Sequence, residues 1–199
     1  KGVGNSRIVD VADFDGDKKE ELLVAGEWMP LRIYAVANGK LEDVSAKYGL
    51  ENTEGFWRST QATDLDGVGD LDFVAGNIGL NTRYGASPEA PLRMYAKDFD
   101  GNGSIDPIMT QREGAREYPV ATRDVMIKQL PSLRKKFVRT VTYAKAGIQD
   151  LYPEKELGAS LQLRCNYLAS AVFINENGKF VQRQLPNEAQ MAPINAILC

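Results

Sequence analysis

Short apolar runs bounded by polar turn residues recur along most of the chain. Ile8, Val9 and Val11 lead into an acidic stretch, Leu22, Leu23 and Val24 leave it, and Leu31, Ile33 and Ala35 alternate with Arg32 and Tyr34. Runs of this length, with β-branched residues and a period of two, predict half-buried strands. Asn38-Gly39 and Asn177-Gly178 predict two-residue hairpin turns, because both turn positions must take positive φ. Between Thr122 and Gly158 the period changes. Val125, Met126, Leu130 and Leu133 recur at helical spacing, and Leu151, Tyr152 and Leu157 follow. This predicts a helical segment of about 35 residues, with Pro131 and Pro153 limiting its helices or opening their first turns.

The strand-like parts repeat. The pattern D-x-D-G-x-x-x-x-[DE] starts at Asp13, Asp64 and Asp98. Val24-Ala25-Gly26 is echoed by Val74-Ala75-Gly76, Pro30 to Ala35 by Pro91 to Ala96, and Asn38-Gly39-Lys40-Leu41 by Asn177-Gly178-Lys179-Phe180. One unit reads as strand, acidic loop, strand, connection, strand, Asn-Gly turn, strand. That is a four-stranded antiparallel blade of about 45 residues, the size of a propeller repeat. The expected fold is mainly β, a single partial propeller over residues 1–199. Its blades are expected at 1–50, 51–96 and 97–188, the third carrying the helical insertion at about 122–158, with 189–199 as the first strand of a further blade.

The acidic loops carry the candidate chemistry. Side-chain oxygens at positions 1, 3 and 5 of a tight turn, a carbonyl at position 7 and an acid at position 9 form the oxygen-rich set that a hard cation such as Ca2+ takes. In the first loop the set is Asp13, Asp15, Asp17, the carbonyl of Lys19, and Glu21. In the third it is Asp98, Asp100, Asn102, the carbonyl of Ser104, and Asp106. The middle loop offers Asp64, Asp66, the carbonyl of Asp70, and Asp72, but Val68 stands at position 5, so weaker or no occupancy is expected there. An EF-hand is excluded: its glycine belongs at position 6 and its bidentate Glu at position 12. Here glycine is at position 4 (Gly16, Gly67, Gly101), and position 12 is Val24, Ala75 or Met109. No P-loop or G-x-G-x-x-G motif follows a strand, which argues against a phosphate site.

Composition narrows the functions. The 199 residues include no histidine, which removes Ser-His-Asp and Cys-His catalysis and imidazole-based zinc sites. Twelve of the 27 acids lie in or beside the loops, and the remaining 15 face 24 bases. Acidic turns are thus set in a mildly basic body, and the overall charge of -3 conceals this. Residues 123–139 hold six bases against Asp124 alone, a local charge of +5; a solvated helix face accounts for this, with anion or partner docking as the alternative. Cys165 and Cys199 make no disulfide framework, although one bridge is open to them. No apolar run reaches the roughly 18 to 20 residues of a membrane span, no nucleic-acid partner is expected, and Lys1 reads as the start of a processed or truncated chain.

These residues resemble the FG-GAP or VCBS repeats of integrin-like β-propellers. The resemblance rests on the loop motif with its following strand and Val-Ala-Gly, and on Gly39 to Ser45 before Tyr48-Gly49-Leu50. It runs over residues 6–110 and again from about 171 to 199. More narrowly, Gly76 to Tyr84 is similar to the larger bacterial VCBS-repeat proteins related to the ASPIC/UnbV group. The resemblance implies Ca2+ in the first and third loops, stabilising blades. It also implies a ring of about seven blades, so that three would be a fragment with open sheet edges inviting pairing with another copy.

The expected function is a non-catalytic, calcium-binding propeller segment of a secreted, periplasmic or cell-surface protein that binds a protein or glycan. Trp28, Trp57 and Tyr84, with Phe56 and Tyr118, are candidates for the ligand surface, and core packing is the competing explanation. The alternative is a polysaccharide-acting enzyme using an Asp/Glu pair drawn from acids such as Glu54, Glu117, Asp124, Asp150 and Glu154.

Overall fold

The structure, a computed structural model, describes residues 4–198. It is mainly β and forms two compact units, one from residues up to Arg83 together with those from Cys165 on, the other from Tyr84–Arg164. In the first unit, β1 (Asn5–Ala12), β2 (Glu21–Met29), β3 (Arg32–Ala37) and β4 (Lys40–Asp43) make an antiparallel sheet in chain order. The two-residue strand β5 (Gly55–Phe56) adds to β2. Ala37 pairs with Lys40 and both Asn38 and Gly39 have positive φ, the mirror-image turn that matches strand twist.

The second sheet begins with β6 (Ser59–Thr63) and β7 (Asp72–Gly76). The chain then enters the other unit, where β8 (Leu92–Lys97), β9 (Asp106–Glu113), β10 (Arg116–Pro119) and β11 (Leu161–Cys165) pair in the order β10-β9-β8-β11. Between β10 and β11 lie five short helices: α1 (Arg123–Gln129), α2 (Leu133–Lys136), α3 (Thr140–Ala144), α4 (Ile148–Leu151) and α5 (Glu154–Gly158). Helices this short are marginal alone. They hold because Met126, Ile127, Leu130, Leu133, Phe137, Tyr143, Ile148, Leu151 and Leu157 bury a common core with Tyr95 and Ile108. The chain returns as β12 (Ala171–Asn175) and β13 (Phe180–Gln184), and β12 pairs with β7.

The second sheet therefore runs β6-β7-β12-β13, and this departs from the expected blade boundaries. Its outer half comes from residues 171–184, not from 77–96, and the third acidic loop lies within the segment between β7 and β12. The reason is non-local: period-two alternation marks a strand but does not name its partner. Leu92–Lys97 leads directly into an acidic loop, whereas the echoed Leu31 to Ala35 leads into the Asn38-Gly39 turn, so the two echoes occupy different places. Residues 191–198 form no strand, contrary to the expected blade opening at 189. Instead the Ile194 N–H donates to the Asn77 carbonyl at 3.0 Å and its carbonyl accepts from the Ser59 hydroxyl at 2.8 Å. A Cβ on Gly76 would stand 2.4 Å from that carbonyl, so only glycine admits the approach. Cys165 is buried and its thiol donates to the Tyr167 carbonyl at 3.3 Å; Cys199, to which a bridge was left open, lies outside the described residues. No closed barrel or propeller is present among the described residues.

Within the first unit the sheets share one core. Leu23, Ala25, Leu31 and Ile33 of the first pack with Phe73, Ala75, Ala171 and Phe173 of the second, around Phe14, Tyr48, Trp57 and Phe180. Phe73 and Phe173 stack at 4.6 Å, and Phe180 meets Phe73 edge-on at 4.7 Å. Such pairs add about 0.5–1.5 kcal/mol each beyond burial. This aromatic layer reaches Phe14, the second residue of the first acidic loop.

Candidate metal centre

The three acidic loops are wired alike. The position-1 carboxylate accepts the N–H of position 4 through one oxygen (Gly16 to Asp13 2.7 Å, Gly67 to Asp64 2.7 Å, Gly101 to Asp98 2.8 Å). Its other oxygen accepts the N–H of position 6 (Lys18 2.8 Å, Gly69 3.1 Å, Gly103 2.8 Å). The position-3 acid accepts from position 5 at 3.3 Å in the first loop and 3.2 Å in the others. The position-9 acid reaches back to the N–H of position 2: Phe14 to Glu21 2.9 Å, Leu65 to Asp72 2.8 Å, Phe99 to Asp106 3.0 Å. Positions 4 and 6 both have positive φ, at Gly16 and Lys18, Gly67 and Gly69, Gly101 and Gly103. That is why glycine recurs there.

This wiring draws carboxylates together. In each loop three acids offer oxygens within 4.8 Å of one another: Asp13, Asp15 and Asp17; Asp64, Asp66 and Asp72; Asp98, Asp100 and Asp106. Three acidic triads could therefore hold a metal ion, and the all-oxygen donor set fits a hard cation. Lys19 and Ser104, expected to contribute carbonyls, also brace their loops through N–H bonds of 2.8 Å to the position-5 side chains of Asp17 and Asn102. Val68 leaves the middle loop without that brace, and it is 69% exposed. In the same loop Asp70 Oδ1 is buried without a hydrogen-bond partner. Burial and then Asp72, Asp66 and Asp64 hold its carboxyl above the usual carboxylate range, as expected where acids crowd without a counterion.

The surroundings differ. Lys19 pairs with Asp17 at 2.7 Å, and Lys47 reaches Asp15 at 2.6 Å. Lys19 holds the Asp17 carboxyl below its ordinary value. Glu21 is pushed up, first by burial and then by Asp15, Asp13 and Asp17. Among the described residues no lysine or arginine pairs with Asp98, Asp100 or Asp106, and backbone donors, the Gly103 N–H foremost, lower Asp98. Asn175, at the end of β12, joins the first two loops: its N–H donates to Asp72 Oδ1 at 2.8 Å and its side-chain amide to the Phe14 carbonyl at 3.2 Å. A cleft of 510 Å³ lies there, lined by Asp13, Asp15, Asp70 and Asn177 among others.

The candidate aromatics of the sequence differ in burial. Trp57 is fully buried, its Nε1–H donating to the Thr53 carbonyl at 2.8 Å, and its ring meets Phe173 edge-on, so it is a core residue. Trp28 is partly buried against Phe56 at 4.7 Å, and Tyr84 and Tyr118 are partly buried in the other unit. Acids outside the loops have structural tasks. Glu117 accepts from the Tyr95 hydroxyl at 3.2 Å and from Thr110. Asp150 accepts from the Gly147 N–H at the start of α4 and pairs with Arg116 at 2.5 Å, Glu54 accepts from Asn166 at 2.7 Å, Asp124 pairs with Arg123, and Glu154 lies in the first turn of α5. Lys47 belongs to no motif quoted from the sequence, and its place beside the first loop comes from the turn after β4. No protein-family model, curated protein or solved structure matches the chain.

Proposed function

We propose that the chain is a non-catalytic, calcium-stabilised repeat segment of the integrin-like propeller type, in which the first and third acidic loops bind Ca2+ and the middle loop binds it weakly. The observation that carries this reading is the common wiring of the loops: N–H groups at the same offsets orient the acids at positions 1, 3 and 9, and three carboxylates converge in each loop, from positions 1, 3 and 5 in the first and 1, 3 and 9 in the others. Convergence of that kind is electrostatically costly without a cation and favourable with one. Bound Ca2+ would fix the turn that joins paired strands. The residues that would hold it are Asp13, Asp15, Asp17 and Glu21 in one loop, and Asp98, Asp100, Asn102 and Asp106 in another.

Sites with affinities typical of extracellular modules fill at millimolar calcium. We therefore place the protein outside the cytosol, where a protein or glycan would be its partner. The test is thermal unfolding of EDTA-stripped protein across a calcium titration with magnesium as control. A midpoint that climbs with calcium and hardly with magnesium is expected. A midpoint indifferent to both ions would remove calcium from the proposal.

A further inference from the structure

In the unit Tyr84–Arg164, where β9 turns into β10, a cavity of 220 Å³ is lined by Pro91, Arg93, Arg112, Ala115, Glu117 and Gln149. Strand register assembles its polar part. Thr110 and Arg112 alternate onto one face of β9, Arg93 stands opposite Thr110, and Glu117 stands opposite Arg112, so these four side chains share a face. The Glu117 side chain is 17% exposed, and its carboxylate accepts from the Tyr95 and Thr110 hydroxyls. The guanidinium groups are less well matched. Arg93 Nε is 4.0 Å from Glu117 Oε2, at the outer limit of an ion pair. Arg112 donates through Nε to the Gly114 carbonyl at 3.2 Å and pairs with no acid among the described residues. Two bases against one acid leave the cavity lining with a formal charge of +1.

Arginine forks match carboxylates and phosphates in paired hydrogen bonds, and Glu117 discriminates between the two. Its negative charge disfavours a dianion, whereas a monoanion balances the lining. A carboxylate also has about four acceptor sites, and hydroxyls fill two of them here, which leaves Glu117 able to accept from hydroxyls of a ligand. The volume is below the roughly 300–1,000 Å³ of pockets for drug-sized molecules, so the ligand is small. We propose that this cavity binds a sugar acid, a monoanion that carries hydroxyl groups beside its carboxylate. Arg93 and Arg112 would take the carboxylate and Glu117 a neighbouring hydroxyl. A sugar acid gives a chemical class to the partner proposed above, and to that extent the site rests on that reading. Calcium plays no part in it, because no acidic-loop residue lines the cavity.

The experiment is an NMR titration of sodium glucuronate into the full chain in EDTA at constant ionic strength, following the arginine Nε–H resonances. Saturable shifts at Arg93 and Arg112 are expected, with none for glucose and weaker ones for acetate and sulfate. Arg112→Gln, at an exposed position, should weaken glucuronate about tenfold, the worth of one charge-assisted hydrogen bond. Arg134→Gln, in α2 and outside the cavity, should leave it unchanged. Equal responses to glucuronate, acetate and sulfate would overturn the proposal, as would binding that Arg112→Gln leaves intact. Binding that appears only when calcium replaces EDTA would also overturn it, by assigning the carboxylate to the acidic loops. A glucuronate-ended disaccharide that binds more tightly than the monosaccharide would place the sugar acid on a glycan, and equal binding would mark a free sugar acid; either result sustains the site. A calcium titration without effect would leave this site standing, and the absence of glucuronate binding would leave the calcium reading standing.

Discussion

The first and third acidic loops share a backbone and differ in their company. Both place an acid at position 1 under two N–H donors and tie position 9 back to position 2. The first stands beside an aromatic sheet interface and already holds two ammonium groups, from Lys19 and Lys47. The third stands in a unit of one sheet and five short helices and relies on backbone donors alone to lower Asp98. A short motif therefore determines how an acidic turn is shaped, while neighbours remote in sequence determine how much of its charge is left for an incoming ion.

The comparison can be sharpened by experiment. The largest effect should come from the position-9 acids. Asp106→Ala strips a ligand and leaves the Phe99 N–H bare, costing about 1–3 kcal/mol in metal-free protein. Glu21→Ala should cost less, because it also removes a carboxylate that burial and three neighbours hold out of its preferred state. Denaturant unfolding in EDTA measures both, and the reverse order would break the comparison. Val68→Asp, which gives the middle loop its missing oxygen, should tighten calcium there about tenfold, read as a new strong class of sites in calorimetry. Lys47→Met should tighten the first loop about two- to fivefold, within the range of an exposed ion pair, and leave the third unchanged.

The smallest effect concerns pH. Glu21 has a raised pKa in the folded protein, so in metal-free protein its contribution to stability is present below the ordinary glutamate value and is lost as pH rises through the folded one. Asp98 has a lowered pKa, so its contribution is present above the ordinary aspartate value and is lost as pH falls through the folded one. On acidification, protons should therefore displace calcium from the first loop at a higher pH than from the third. Calcium titrations at neutral pH and near pH 5, on Asp13→Asn and Asp98→Asn proteins, would show whether that order holds.

Much of this was legible in the residues. Fixed offsets encode the acidic loops because their hydrogen bonds span at most eight residues, and the Asn-Gly turns are encoded the same way. Val125, Met126, Leu130 and Leu133 announced the helices, although Val125 itself is exposed. Long-range choices were not legible. Nothing in the alternation of Asp72 to Gly76 says that β12 is its partner, although the echo of Asn38-Gly39-Lys40-Leu41 at Asn177 was the available signal. For Trp57 the sequence leaves ligand surface and core packing both open, because an aromatic near a strand end looks the same whether a second sheet covers it or not. Lys47 carries no signal in the sequence, since its pairing with Asp15 depends on a turn folding back onto a loop some thirty residues earlier.

The return of β12 to β7 has a kinetic consequence. Residues Phe73 and Phe173, neighbours in one sheet, are roughly 100 residues apart along the chain. The first sheet can zip from local hairpins as soon as it is made. The second must wait until its inserted unit has been synthesised and the ends of that unit have met, and closing so long a loop carries an entropy penalty that only late contacts repay. During that delay β7 is an apolar strand with one edge unpaired, the condition in which chains pair with the wrong copy. Refolding of the protein should accordingly show a fast phase for the first sheet and a slow, concentration-sensitive one for the second.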